Sequence, residues 1–273
     1  MPYLSVDASQ RIYYEHAAGE DTTVVLLHGW GMSGRVWDAT ARELAAAGVG
    51  VVRYDQRGCG LSDREFADVA IETLAADLVA LCDHLALAAP VLNGWSLGGA
   101  VAVDAAVRLG ARLQGLVLTC GATPRYTRAD DFPFGGSADD VGASLAALRT
   151  NRHEFLRALY FDNDFARAVG DTVKQRFYEI ALQASPHADA SLGALGALDQ
   201  RALLPRIDAP ALVVTGIDDR VVAPAIARCA ARALPDAELL ELPGCGHAPF
   251  VDVADTYHAA LLRFIARLRA ARR

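Results

Sequence analysis

The stretch VLNGWSLGGAV (91–101) places Ser96 two residues from a glycine on either side, at the point where one apolar run gives way to another. The spacing GxSxG, after a predicted strand and before a predicted helix, suits a nucleophile elbow. A serine held in a strained backbone conformation needs neighbours too small to collide. Gly99 and Ala100 let the helix begin close to the strand. The free N–H groups and positive dipole end of that helix favour negative charge developing near the serine. With 23 glycines in the chain the pattern also arises by chance, so its partners must decide.

A serine hydroxyl is a weak nucleophile at neutral pH until a base takes its proton. Of the seven histidines, His247 in LPGCGHAPF follows the last predicted strand, on a loop at its C-terminal end. That is where α/β sheets gather functional groups. His84 and His258 fall within predicted helices, His16 on an edge hairpin, and His153 and His187 in a helical insertion; His28 suits bracing its own loop. The imidazole needs a carboxylate to fix its tautomer and stabilise the imidazolium. VVTGIDDRVV offers Asp218 and Asp219 just past a strand, whereas LTCGATP, after the preceding strand, holds no acid. One of the two aspartates is expected to be only a solvated turn. LLHGWGMSG, with glycines at 29, 31 and 34, can turn backbone N–H groups inward as an oxyanion hole, with Trp30 and Leu97 as the two donors. Losing such a donor typically costs on the order of 10²–10³ in rate. The loop lacks the GKS/T ending of a P-loop, and no GxGxxG replaces it. Chemistry of this kind requires no metal and no organic cofactor.

Short β-rich runs alternating with alanine-rich stretches position these residues, the pattern of a mainly parallel sheet covered by helices. YLSVDAS and RIYYEHA alternate with period two and predict an antiparallel edge hairpin. Buried-type strands are predicted at 23–29, 49–55, 89–95 and 113–121, with helices near 36–47, 71–87 and 97–109. From 123 to 204 no strand is predicted, only a loop carrying Pro124, Pro133, Gly135 and Gly136 and then helical segments. An insertion of that length reads as a helical cap (123–204) over a core of 1–122 and 205–273. Strand and helix then resume at APALVVTGIDD, PAIARCAARAL, AELLELPGCGH and TYHAALLRFIARLRA, which completes eight strands with the cap after the sixth.

The composition, 53% hydrophobic and 22% charged over 273 residues, suits a globular chain with ample core. A net charge of -7 argues against a nucleic-acid footprint, which needs a concentrated basic face. The basic run RLRAARR (267–273) reads as the solvated end of a last helix. The first residues show no signal-peptide pattern, and no apolar run approaches the roughly 20 residues of a membrane span. Five dispersed cysteines without CxxC are expected to be free thiols of a reducing cytoplasm.

Taken together, HGWG, YDQRGCGLSD, GWSLGG, GIDDRVVAP and GCGHAPF resemble the α/β-hydrolase superfamily, in the right order across nearly the whole chain. HGWG, GWSLGG and HAPF are similar to the pimeloyl-acyl-carrier-protein methyl ester carboxylesterases of biotin synthesis. RYDQRGCGLSD is closer to arylesterases, cofactor-free perhydrolases and enol-lactonases. The resemblance implies a Ser-Asp-His triad of Ser96, Asp219 and His247, the acid falling three residues after the glycine that ends its strand, here Gly216. It also implies a carboxylesterase with a cap-shaped acyl pocket, in which Trp30, Leu97, His247 and Phe155 contact a small-molecule ester. An acyl-carrier protein is a further implied partner, for which Arg149, Arg152 and Arg157 are available. Lactone, thioester or carbon–carbon bond hydrolysis on the same triad, and a non-catalytic ligand-binding member of the fold, are the alternatives.

Overall fold

Strands buried on both faces must be apolar throughout, and the apolar runs of this chain form such strands. The computed structural model describes residues 2–271, and among them eight strands form one sheet. They are β1 (Tyr3–Ser5), β2 (Arg11–Ala17), β3 (Thr23–Leu27), β4 (Gly50–Tyr54), β5 (Pro90–Trp95), β6 (Gly115–Thr119), β7 (Ala211–Gly216) and β8 (Ala237–Leu242). Their order across the sheet is β1-β2-β4-β3-β5-β6-β7-β8. β1 and β2 pair antiparallel, β2 pairs antiparallel with β4, and every later neighbour is parallel. In register, Leu92 of β5 lies between Val25 of β3 and Leu116 of β6. Every residue of β5, β6 and β7 is buried. Because successive side chains point to opposite faces, the sheet is therefore covered on both. β8 closes one edge with Glu238 and Glu241 paired to Arg267 and Arg228, charges that discourage strand addition there.

The helices are α1 (Asp38–Ala46), α2 (Ile71–His84), α3 (Leu97–Leu109), α4 (Ala138–Ala158), α5 (Asp171–Leu182), α6 (Ala190–Ala197), α7 (Pro224–Ala233), α8 (Pro249–Asp252) and α9 (Ala254–Ala271). The spacing of Leu74, Leu78, Leu81 and Leu85 predicts one helix face; the first three lie on the buried face of α2, while Leu85 falls just past its end and is half-buried. Among the described residues no helix is long and apolar enough to cross a membrane. All five cysteines are free thiols. In the basic run at the end, Arg267 pairs with Glu238 and Arg269 with Asp21, while Arg272 and Arg273 lie outside the described residues.

Some elements differ from expectation. β6 stops at Thr119 instead of Gly121, because Cys120 takes a positive φ of 44° that ends the strand. The helix expected from Val36 begins as a 3-10 turn at Gly34–Trp37. Between β6 and β7, α4 consists of two helical segments that meet at Asn151, where the backbone leaves helical geometry (φ -152°, ψ 81°). α4 runs into a π turn at Leu159–Asn163. α6 carries two glycines, and Gly196 sits where a Cβ would lie 3.0 Å from Val141.

Candidate active site

Ser96 occupies the turn between β5 and α3 with φ 56° and ψ -123°, a conformation costly for any residue with a Cβ. Three backbone bonds hold it there. Ser96 N–H donates to Thr119 O (3.1 Å), and the N–H groups of Gly99 and Ala122 donate to Ser96 O (both 2.9 Å). A Cβ on Gly94 would overlap Gly98 O, and one on Gly98 would lie 2.6 Å from His28 O. The glycines of GxSxG are therefore required by close backbone approach. The first N–H groups of α3 have no carbonyl of their own helix to bond.

His247 lies on the loop after β8, buried, and each of its backbone groups is fixed. Its N–H donates to Asp164 O (2.8 Å), and its C=O accepts from Trp95 Nε1 (2.7 Å). Nδ1 meets Asp219 Oδ2 at 2.8 Å, which leaves Nε2 as the ring nitrogen not engaged by the acid. The other oxygen of Asp219 accepts the N–H groups of Val221 (2.8 Å) and Val222 (2.9 Å). Asp218 is exposed. Burial opposes the charged form of His247, but the Asp219 carboxylate, by charge and hydrogen bond, and Asp164 outweigh it and raise the pKa above 6.5.

His28 is fully buried, with Nδ1 at 2.8 Å from Gly29 O and Nε2 accepting Gln56 N–H (2.9 Å). Burial pushes it down to about 4, against the pull of the Gly29 bond, so the ring is neutral and braces the glycine loop. The YDQRGCGLSD segment shares this bracing. Asp55 accepts from Gly34 N–H (2.7 Å) and Leu61 N–H (2.8 Å), and Arg57 forms a buried pair with Asp77 (2.5 Å). Cys120 Sγ, an Asp219 oxygen and a His247 nitrogen lie within 4.8 Å of one another, a donor set that could be considered for a metal. Burial holds Cys120 well above its ordinary pKa, as a thiol, and Asp219 is already committed to His247. The residues fit a hydrogen-bonded acid–imidazole pair and not a metal centre.

Ser96 and His247 line one cavity of about 130 Å³. Trp30 and Phe155 also line it and meet edge to face, ring centres 6.3 Å apart. Val141, Leu159, Leu192 and Leu195, all from the segment between β6 and β7, supply apolar wall. The Leu97 side chain does not line this cavity; buried in α3, it faces a separate small void beside His28 and Gln56. What Leu97 can offer is its backbone N–H. His153 bonds Tyr178 OH (3.0 Å), His84 bonds Tyr14 OH (3.1 Å) and His258 bonds Thr40 (3.0 Å); none of these histidines, nor His16 or His187, lines the cavity.

The alpha/beta hydrolase fold model matches residues 22–253. The chain belongs to the α/β-hydrolase family. It is 34% identical over 247 residues to a pimeloyl-[acyl-carrier protein] methyl ester esterase of Chromobacterium violaceum, covering 89% of this chain and 94% of that one. To the AB hydrolase superfamily protein YisY of Bacillus subtilis it is 27% identical, over 96% and 98% of the two chains. A solved esterase from Exiguobacterium antarcticum superposes with a TM-score of 0.93 at 26% identity, covering 97% of this chain and 98% of that one.

Within this α/β-hydrolase, two groups beside His247 escaped the sequence reading. Asp164 is buried and lines the cavity. Asp252 Oδ2 accepts Gly246 N–H (2.6 Å) and Ala166 N–H (3.0 Å), tying the His247 loop to the Asp164 segment. Asp252 follows HAPF closely, but nothing local distinguishes its side chain from a solvated one. Arg152, expected on a carrier-binding surface, is instead paired inside the molecule with Asp189 (2.6 Å). Arg157 stacks over the Phe161 ring at 4.9 Å, and Arg149 is exposed.

Proposed function

We propose that this protein is a serine carboxylesterase acting through an acyl-enzyme on small esters. The observation that carries the reading is the shared cavity. A serine in strained elbow geometry and a histidine whose other nitrogen rests on a buried carboxylate face the same apolar space. In this reading Ser96 attacks the ester carbonyl, His247 takes its proton and passes it to the leaving alcohol, and Asp219 stabilises the imidazolium. The N–H groups of Trp30 and Leu97 hold the oxyanion. Water activated by His247 then releases the acid. Residues 123–204 act as the cap, over a core of 1–122 and 205–273.

A cavity of about 130 Å³ suits a short acyl group or one aromatic ring; an engineered apolar cavity of roughly 150 Å³ holds benzene. Kinship with pimeloyl-[acyl-carrier protein] methyl ester esterases makes carrier-linked esters a second substrate class. Arg152 is committed to Asp189, so the carrier surface would rest on Arg149 and Arg157, and small free esters are the favoured reading. The test is hydrolysis of short-chain 4-nitrophenyl esters with fluorophosphonate labelling. Ser96→Ala should lose labelling and at least roughly 10³-fold in kcat. Undiminished turnover in that variant would remove Ser96 from the mechanism.

A further inference from the structure

Asp164 is held at every point except its carboxylate. Its N–H donates to Leu159 O (3.0 Å), the bond that closes the π turn after α4. Its C=O accepts from His247 N–H (2.8 Å). π turns cost backbone regularity and recur where a side chain must be aimed. The side chain lies in the cavity wall at 1% exposure, and Oδ2 meets no donor among the described residues. A leucine here would cost nothing in desolvation, whereas a buried unpaired carboxyl does.

The charged and titratable neighbours are His247, Asp219, Asp252 and Tyr160. Burial pushes Asp164 up to about 7, with the two other aspartates adding to burial and His247 opposing it. Near neutrality the group is therefore both carboxylic acid and carboxylate. A partner that donates to one form and accepts from the other satisfies both, and an alcohol does so. Among the described residues the only other acid in the lining, Asp140, is engaged by Ser137 at the start of α4, and no lysine or arginine lines the cavity. A second carboxylate would enter this space with no lysine or arginine among the described residues to meet it.

We propose that Asp164 is a specificity-determining residue of the proposed esterase, binding a hydroxyl group on the substrate close to the scissile ester and excluding substrates that carry a carboxylate there. The proposal rests on the carboxylesterase reading of Ser96. It deepens that reading by naming the class of substrate as a hydroxylated small ester.

The experiment uses three phenyl esters of matched length, the butyrate, the 3-hydroxybutyrate and the hemisuccinate, with phenol release as readout. In the wild type kcat/KM for the hydroxybutyrate should exceed that for the butyrate by about tenfold, and the hemisuccinate should fall about tenfold below it. Asp164→Leu should prefer the butyrate and narrow the hemisuccinate penalty. Asp164→Asn, which still donates and accepts, should keep the hydroxyl preference while relieving that penalty. Thermal unfolding supplies a second readout: Asp164→Leu should gain about 2 °C or more as the unpaired carboxyl leaves the interior. Unchanged substrate ratios in Asp164→Leu overturn the proposal and leave the esterase reading standing. No turnover of any ester, with Ser96 unlabelled by fluorophosphonate, overturns both.

Discussion

Replacing Asp219 by asparagine changes little in shape and much in chemistry. Oδ1 accepts the N–H groups of Val221 and Val222, and asparagine's oxygen can keep both, so the turn after β7 survives. Oδ2 faces His247 Nδ1 at 2.8 Å, and there asparagine presents an amide N–H. Two donors cannot share that contact, so the ring proton moves to Nε2. In that tautomer His247 cannot take the Ser96 proton, and the imidazolium loses its neighbouring charge. The expected loss in kcat is about 10³- to 10⁴-fold, or about 4 to 5 kcal/mol of transition-state stabilisation. Asp218→Asn alters an exposed carboxylate and should stay within about twofold of wild type. The assay is hydrolysis of a short-chain 4-nitrophenyl ester at pH 8, with urea unfolding to show that each variant is folded. A folded Asp219→Asn protein keeping more than about a tenth of wild-type kcat, or an Asp218→Asn protein losing as much, would refute the reasoning.

Because the His247 pKa is raised above 6.5 and the base must be neutral, activity is lost as pH falls through that raised value; the acid limb of kcat/KM should lie above 6.5. Asp164→Asn removes one of the raising charges and should move the limb to lower pH, which a pH–rate profile would show; a limb unmoved would mean the two groups do not interact. Asp252→Ala leaves the buried N–H of Gly246 without its acceptor and removes the bond to the N–H of Ala166, an exposed residue. It should cost about 2 to 4 kcal/mol in urea unfolding and lower kcat, since the loops carrying His247 and Asp164 both loosen; full stability would show that other bonds hold them.

The sheet was legible because a strand covered on both faces leaves a continuous apolar run, and the turn at Ser96 because its glycines answer backbone contacts within one strand–helix unit. His247 was legible as a strand-end residue. The helices between β6 and β7 were legible only coarsely. The π turn depends on packing that composition does not encode. Arg152 looked like an exposed cation because the residue that neutralises it, Asp189, lies far along the chain.

By itself, then, the sequence determined the α/β architecture, the strand ends that carry Ser96, the Asp218–Asp219 pair and His247, and the glycine loop at Trp30. These are local demands of backbone geometry, written in residue type and spacing. Only the tertiary structure decided which aspartate faces His247, that the Leu97 side chain turns away from the cavity, and that Asp164 stands unpaired beside the candidate base. A carboxylate's partner, burial and field come from segments distant in sequence, and neighbouring aspartates that read alike become different groups once one of them is folded inside.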